Sequence, residues 1–320
     1  MRGCVRCVAG LAFAAAACAA VAAYPERPIR LVVPVAAGGG NDIVARMIAQ
    51  KMTESWRRQV VVDNRPGAAT AIGAEIVARA LPDGYTLMLV SVSFAINASV
   101  ATRLPFDSVR DFAPVALAAR VPQILVVHPA LPAKSVSDLI ALAKQRPGEI
   151  NYASAGSGSS THLAMELLLD KAGIALNHVP YKGTAPGMTD LLAGQVQVMF
   201  DAIPPSLPHI KSGRIRPIAI GSVERSPSMP DLPTVAESGV PGYAFTSWFG
   251  IFAPAGTPRA LIDRLNREIV RIVRLPDIRE RLLVMGVEPI GSTPDELGRH
   301  LASEIRQWSD IVQRRHIRAH

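Results

Sequence analysis

Apolar and polar positions along this chain alternate between two periods. Short runs of β-forming residues lie at 29–34, 59–63 and 85–90. Between them, apolar residues recur every three or four places, as in Ile43, Val44, Met47, Ile48 and Met52. The first pattern predicts strands and the second an amphipathic helix. The loop before that helix, 36–40, is Ala-Ala-Gly-Gly-Gly, and Asn41-Asp42 is expected to cap the first turn. A turn at 64–67 precedes a helix over about 69–81, which Pro82-Asp83-Gly84 stops. A β-α-β-α-β order with short links predicts a parallel sheet with right-handed crossovers.

The scheme then repeats. Strands are expected at 123–128, 151–154, 178–181, 196–201 and 216–220. Helices are expected at 135–145, with Ser135 as cap, at about 161–171, at 186–192, and in a short segment ending near Gly213. A further apolar strand at 248–253 is followed by helices only. The first of these carries the stripe Leu261, Ile262, Leu265, Ile269, Ile272, Val273. With no sheet of their own, these helices are expected to fold back onto the first α/β unit. The fold class is therefore α/β with two lobes, 24–122 plus 247–320 and 123–246. The chain crosses between them near 122 and near 247, making a hinged pair whose cleft faces the strands' carboxyl ends.

Residues 1–23 stand apart. Arg2 and Arg6 precede an apolar run over 8–20 and a small-residue end, Val21-Ala22-Ala23. This is the anatomy of a secretory signal peptide, and the run is short for a membrane span. The three cysteines, Cys4, Cys7 and Cys18, all lie in it. A mature chain from Tyr24 then has no disulfide, thiolate nucleophile or cysteine-bound metal. Losing Arg2 and Arg6 lowers the net charge from +8 to +6. The 320 residues are 49% hydrophobic, enough for a large core and against disorder. From Arg259 onward twelve Arg are interleaved with nine Asp or Glu, which reads as the wet face of amphipathic helices. Nucleic-acid binding, which wants an uncompensated basic patch, is not expected.

Two loops share one chemistry. Gly38, Gly39, Gly40, Asn41 and Asp42 in the first, and Ser157, Gly158, Ser159, Ser160 and Thr161 in the second, each join a strand to a helix start. Small residues let backbone N–H groups approach a ligand, and a helix start favours negative charge. Such turns are also common in any α/β fold. Ser91 and Ser93, just past the third strand, and Asp201, at a strand end, are placed to reach the cleft. Asp201 reads equally as a contact to a ligand amine or hydroxyl and as a buried structural group. Tyr181 ends another strand, and Lys182 beside it is the one cation placed to reach the cleft. Enzyme signatures are missing: no Walker pattern, no Gly-x-Ser-x-Gly elbow, no third glycine after Gly156-Ser157-Gly158. The seven His offer no metal-binding pair; His162 and Glu166, one turn apart, read as a local contact.

The ordered motifs resemble the tripartite tricarboxylate receptor, or Bug, family of periplasmic solute-binding proteins. They include Asn64-Arg65-Pro66-Gly67-Ala68, Pro82-Asp83-Gly84-Tyr85-Thr86-Leu87 and Asn151-Tyr152-Ala153-Ser154-Ala155-Gly156-Ser157-Gly158. Val179-Pro180-Tyr181-Lys182-Gly183, Asp231-Leu232-Pro233-Thr234-Val235-Ala236-Glu237 and Ala253-Pro254-Ala255-Gly256-Thr257-Pro258 continue the match. The resemblance implies a type II, Venus-flytrap binding-protein fold with a two-strand hinge, each lobe a mostly parallel sheet flanked by helices. It implies a periplasmic receptor, monomeric and without cofactor or metal, that takes a small carboxylate through backbone donors, hydroxyls and water. It places contacts at Gly39 to Asp42, Ser157 to Thr161 and Asp201. A membrane permease or sensor protein would read the closed form. Two departures fall on the cleft: Pro34-Val35-Ala36-Ala37-Gly38-Gly39 lacks the family's usual Phe and second Pro, and Ser91-Val92-Ser93-Phe94 stands where many relatives carry Thr and His. A receptor for a neutral amide and a serine hydrolase using the 157–160 loop with His162 are the competing readings.

Overall fold

The computed structural model describes residues 24–100, 103–181 and 183–314. The expected signal segment, its cysteines and Lys182 lie outside them. The first elements are β1 (Ile29–Val33), α1 (Gly40–Trp56), β2 (Val60–Asn64), α2 (Ala71–Ala78), β3 (Thr86–Ser91), α3 (Ser93–Val100) and β4 (Phe112–Val127). They continue with α4 (Val136–Gln145), β5 (Asn151–Ser154), α5 (Ser160–Ala172), β6 (Asn177–Pro180), α6 (Thr184–Leu192), β7 (Val198–Ala202), α7 (Ile203–Lys211) and β8 (Arg216–Ile220). Last come β9 (Thr246–Pro254), α8 (Arg259–Val273), α9 (Pro276–Val284), β10 (Glu288–Pro289) and α10 (Pro294–Arg314).

The strands run β2-β1-β3-β9-β4-β7-β5-β6. The expected parallel triplets are present: β1 pairs with β2 and β3, and β5 with β6 and β7, all parallel. The long strands between the triplets run antiparallel to their neighbours, so the sheet is mixed. The reason is β4. Only its end was expected, at 123–128, but it is a single strand of 16 residues. It changes partner part-way: Pro122 pairs with Thr246 of β9, and the next residue, Gln123, with Ala202 of β7. A strand of this length reaches about 50 Å, enough to run through both halves of the fold.

Several local expectations are corrected. The helix over 69–81 is a 3₁₀ turn, Ala68–Thr70, followed by the shorter α2. Helix α3 was not foreseen, because Ser-Phe-Ala-Ile-Asn-Ala-Ser-Val has too few polar positions to show a helical period. Ser93 therefore opens a helix rather than lying in a loop. Helix α1 begins at Gly40 with Gly39 as its cap residue, and neither Asn41 nor Asp42 caps it. Ser135 does cap α4, accepting from the Asp138 N–H.

Helices α8 and α9 pack beside α1 and β1 in one apolar cluster that includes Leu265, Ile269 and Leu282. Helix α10 goes further. It packs along α3 and reaches α5, where Arg314 pairs with Asp170 at 2.9 Å. Trp308 on α10 meets Phe245 edge-on, with ring centroids 5.5 Å apart. Through them one core cluster runs from Val32 and Met88 to Leu125 and Leu163, joining the two halves.

Candidate functional site

A cavity of about 440 Å³ opens at the carboxyl ends of the parallel strands. Four segments wall it. Pro34, Val35 and Ala36 follow β1; Pro66, Gly67 and Thr70 follow β2. Ser93, Ile96, Asn97 and Val100 come from α3, which follows β3. Ser157, Gly158 and Ser159 follow β5, on the opposite half of the sheet. The shared position at strand ends is what a parallel sheet dictates, since its loops gather on one edge.

Of the residues singled out from the sequence, Ser93, Ser157, Gly158 and Ser159 line this cavity. The others are placed beside or behind it. Gly38 and Gly39 lead into α1 and Gly40 to Asp42 open it, outside the cavity wall. There the Gly38 N–H donates to Asp42 Oδ2 at 2.9 Å, and Arg46 Nε to the same oxygen at 3.0 Å. The donors expected to meet a foreign anion are thus partly filled by the chain's own carboxylate. Burial acts to raise the Asp42 carboxyl, but the Arg46 and Gly38 bonds outweigh it and hold it below the usual range.

Ser91 ends β3, and its hydroxyl donates to Ser93 Oγ at 3.3 Å. Ser160 accepts from Gln123 Nε2 at 3.3 Å, and Thr161 Oγ1 from the Ala155 N–H at 2.9 Å. The Tyr181 hydroxyl donates to Asp190 at 2.6 Å, and burial with that carboxylate pushes it up to about 12. Asp201 is 2% exposed within the sheet and accepts from Ser206 at 3.0 Å. Burial raises its carboxyl to about 6.

The loop over 157–159 is held from behind. Ser159 caps α5 by accepting from the His162 N–H, and the Gly158 N–H donates to His162 Nδ1 at 3.1 Å. The His162 ring stacks on His178 at 4.1 Å, which stacks on Tyr152 at 4.8 Å. Tyr152 donates to Glu166 Oε1 at 2.7 Å. His162 Nε2 lies 3.8 Å from the same carboxylate oxygen, the local contact expected from the spacing. An imidazole whose Nδ1 accepts a backbone N–H and whose ring is stacked this way is committed to holding the loop. It is not set to take a proton from Ser159. Among the described residues no three His, Cys, Asp or Glu side chains form a metal cluster. Replacing His162 with Phe keeps the stack and removes the acceptor. It is expected to cost about 1–3 kcal/mol, the penalty for an unmade buried bond, and to speed hydrogen exchange at the Gly158 amide. Unchanged exchange there would show that the bond does not hold the loop.

Pro34 to Ala36 belong to the segment expected on the cleft, but nearly half of the cavity wall is not anticipated by the sequence: Pro66, Gly67, Thr70, Ile96, Asn97 and Val100. The available signal was position, since 64–67 directly follows a strand that is parallel to β1. The wall is apolar through Pro34, Val35, Pro66, Ile96 and Val100, and polar through hydroxyls and the Asn97 amide. Among the described residues lining it, none carries a charge.

A sequence profile described as the tripartite tricarboxylate transporter family receptor matches residues 44–317. The chain belongs to that family. This receptor is 39% identical over 292 residues to protein BugT of Bordetella pertussis, covering 91% of this chain and 90% of BugT. It superposes on Rpa4515 of R. palustris, solved with adipate, with a TM-score of 0.76 and 39% identity, covering 91% and 97% of the two chains. MatC of Rhodopseudomonas palustris, solved with bound malate, gives 0.73 and 33%, covering 90% and 100%. The receptor has the two-lobed periplasmic binding-protein fold, and its family is one of solute-binding receptors. Among its described residues no helix is long and apolar enough to cross a membrane.

Proposed function

We propose that this receptor captures a small organic carboxylate with an aliphatic body in the cavity between its lobes. The lobes are 24–122 with 247–320, and 123–246, closing about β4 and β9. Residues 1–23 direct export to the periplasm. The observation that carries the reading is the cavity's make-up: segments of both halves wall it, apolar in part, with Thr70, Ser93, Ser157 and Ser159 supplying hydroxyls. Such a wall suits an acid with an apolar stretch and polar ends, and the relatives solved with adipate and malate support it. The acid is held by neutral donors rather than a guanidinium, and the loaded, closed form is handed to a permease or sensor protein. The receptor performs no chemistry on its ligand.

That no described residue of the wall carries a formal charge gives the neutral-amide reading its one point of support. Thermal unfolding with a panel of adipate, malate, aromatic acids, amino acids and uncharged amides separates the two. A carboxylate at a hundred times its Kd is expected to add about 2.7 kcal/mol of stability. Stabilisation by amides alone would reject the carboxylate reading.

A further inference from the structure

The turn after β2 is strained where it meets the cavity. Gly67 has φ 129°, Ala68 φ 45° and Thr70 φ 86°. A glycine adopts such angles freely. A β-branched threonine in the left-handed region is a genuine outlier, and such strain persists only where the surroundings impose it. Here they do. The Thr70 N–H donates to Gly67 O at 3.1 Å. Asn97 Nδ2 holds Ala68 O at 3.4 Å from α3. Gly73, just inside α2, presses so close to the β1 end that an added Cβ would sit 2.8 Å from Pro34 Cβ.

What the strain achieves is visible in the side chain. Thr70 is 5% exposed and lines the cavity. It is the residue that precedes α2, where a threonine hydroxyl would ordinarily cap the helix, yet it makes no cap bond. Its Oγ1 is buried and has no hydrogen-bond partner. A buried hydroxyl without a partner is costly, and one held at a cavity wall by a strained backbone points to an absent partner that occupies the cavity. We propose that Thr70 is a ligand-binding and specificity-determining residue: its hydroxyl bonds an acid oxygen of the ligand on the wall facing Ser157 and Ser159. The inference rests on the carboxylate reading above and adds to it the residue that answers the 157–159 loop from the other half.

Three substitutions test it, with adipate and malate as probes in calorimetric titrations and the ligand-free melting midpoint as a second measurement. Thr70→Val keeps the shape and loses the hydroxyl. It is expected to weaken binding of the preferred acid about tenfold to a hundredfold, the range for a hydrogen bond to a charged group. Thr70→Ser keeps the hydroxyl and is expected to stay within about threefold of the parent. Thr70→Gly relieves the backbone, so its ligand-free midpoint is expected to rise by about 3 °C while its affinity falls like that of the valine variant. A folded Thr70→Val protein that binds as tightly as the parent would overturn the Thr70 assignment and leave the carboxylate reading standing. So would a glycine variant that keeps the parent's affinity. A parent that binds uncharged amides and none of the acids of the panel would overturn both.

Discussion

Replacing Trp308 with Ala is expected to destabilise the receptor by about 3–5 kcal/mol, the usual range for removing a buried tryptophan. Trp308 is fully buried. It stacks edge-on against Phe245, and its Nε1 donates to Glu304 Oε2 at 3.0 Å. The same oxygen accepts Nε1 of Trp248 at 3.3 Å, so Glu304 joins α10 to β9. Truncation removes the ring from the one apolar cluster that runs through both halves and takes away one of the Glu304 donors. Urea titration of the ligand-free protein measures the loss. Trp308→Phe, which keeps an aromatic ring near Phe245 but loses the donor and part of the indole's buried volume, is expected to lose less than Trp308→Ala does. A loss below about 1 kcal/mol for Trp308→Ala would mean that α10 lies on the core without being part of it.

Asp201→Asn is expected to stabilise the receptor by an amount that grows as pH rises from about 4 to about 6 and then stays constant. Burial raises the Asp201 carboxyl from its ordinary 3.8 to about 6. The folded state therefore holds this proton more tightly than the unfolded chain does. Its contribution to stability is fully present below pH 3.8 and is lost as pH rises through about 6. The gap corresponds to about 3 kcal/mol at 1.36 kcal/mol per pH unit. Asparagine is neutral throughout, and its amide oxygen can still accept from Ser206. The variant should match the parent near pH 3.5 and exceed it by about 3 kcal/mol above pH 7. Parallel unfolding curves at both ends of that range decide the matter. A constant difference between the two proteins would show that the Asp201 charge is solvated in the folded state.

Much of this architecture was legible one segment at a time. Strand β1, the stripe along α8, the Ser135 cap and the 151–160 strand-and-loop all follow from short-range pattern, because each depends on residues within a turn or two of one another. The same holds for Ser157, Gly158 and Ser159: a small-residue loop between strand and helix faces the strand's carboxyl edge whatever the rest of the chain does. Ser93 follows β3 and lines the cavity, although it opens a helix. The ordered motifs carried the family as well, since they recur along almost the whole chain from Tyr24 onward.

Other features needed the folded chain. The unbroken course of β4 depends on exchanging β9 for β7 at Pro122 and Gln123, a matter of pairing with Thr246 and Ala202, residues far along the chain. Helix α3 is hidden because it is wedged between the cavity and α10, so apolar residues occupy both faces and its few polar ones, Ser93, Asn97 and Ser99, show no helical period. Asp42 is expected to cap the helix, but its carboxylate turns back to Gly38, a choice made where Arg46 and Gly38 converge on one oxygen. Thr70 shows the limit best. Intrinsic preference argues against a β-branched residue at φ 86°, so no local rule would place it there. Contacts from Asn97 and the press of Gly73 on Pro34 impose the angle. Local periodicity was enough to lay out strands, helices and the strand-end loops, because those energies are short-range. The cavity's facing wall, and which buried groups stay unpaired within it, arose only when distant segments packed together.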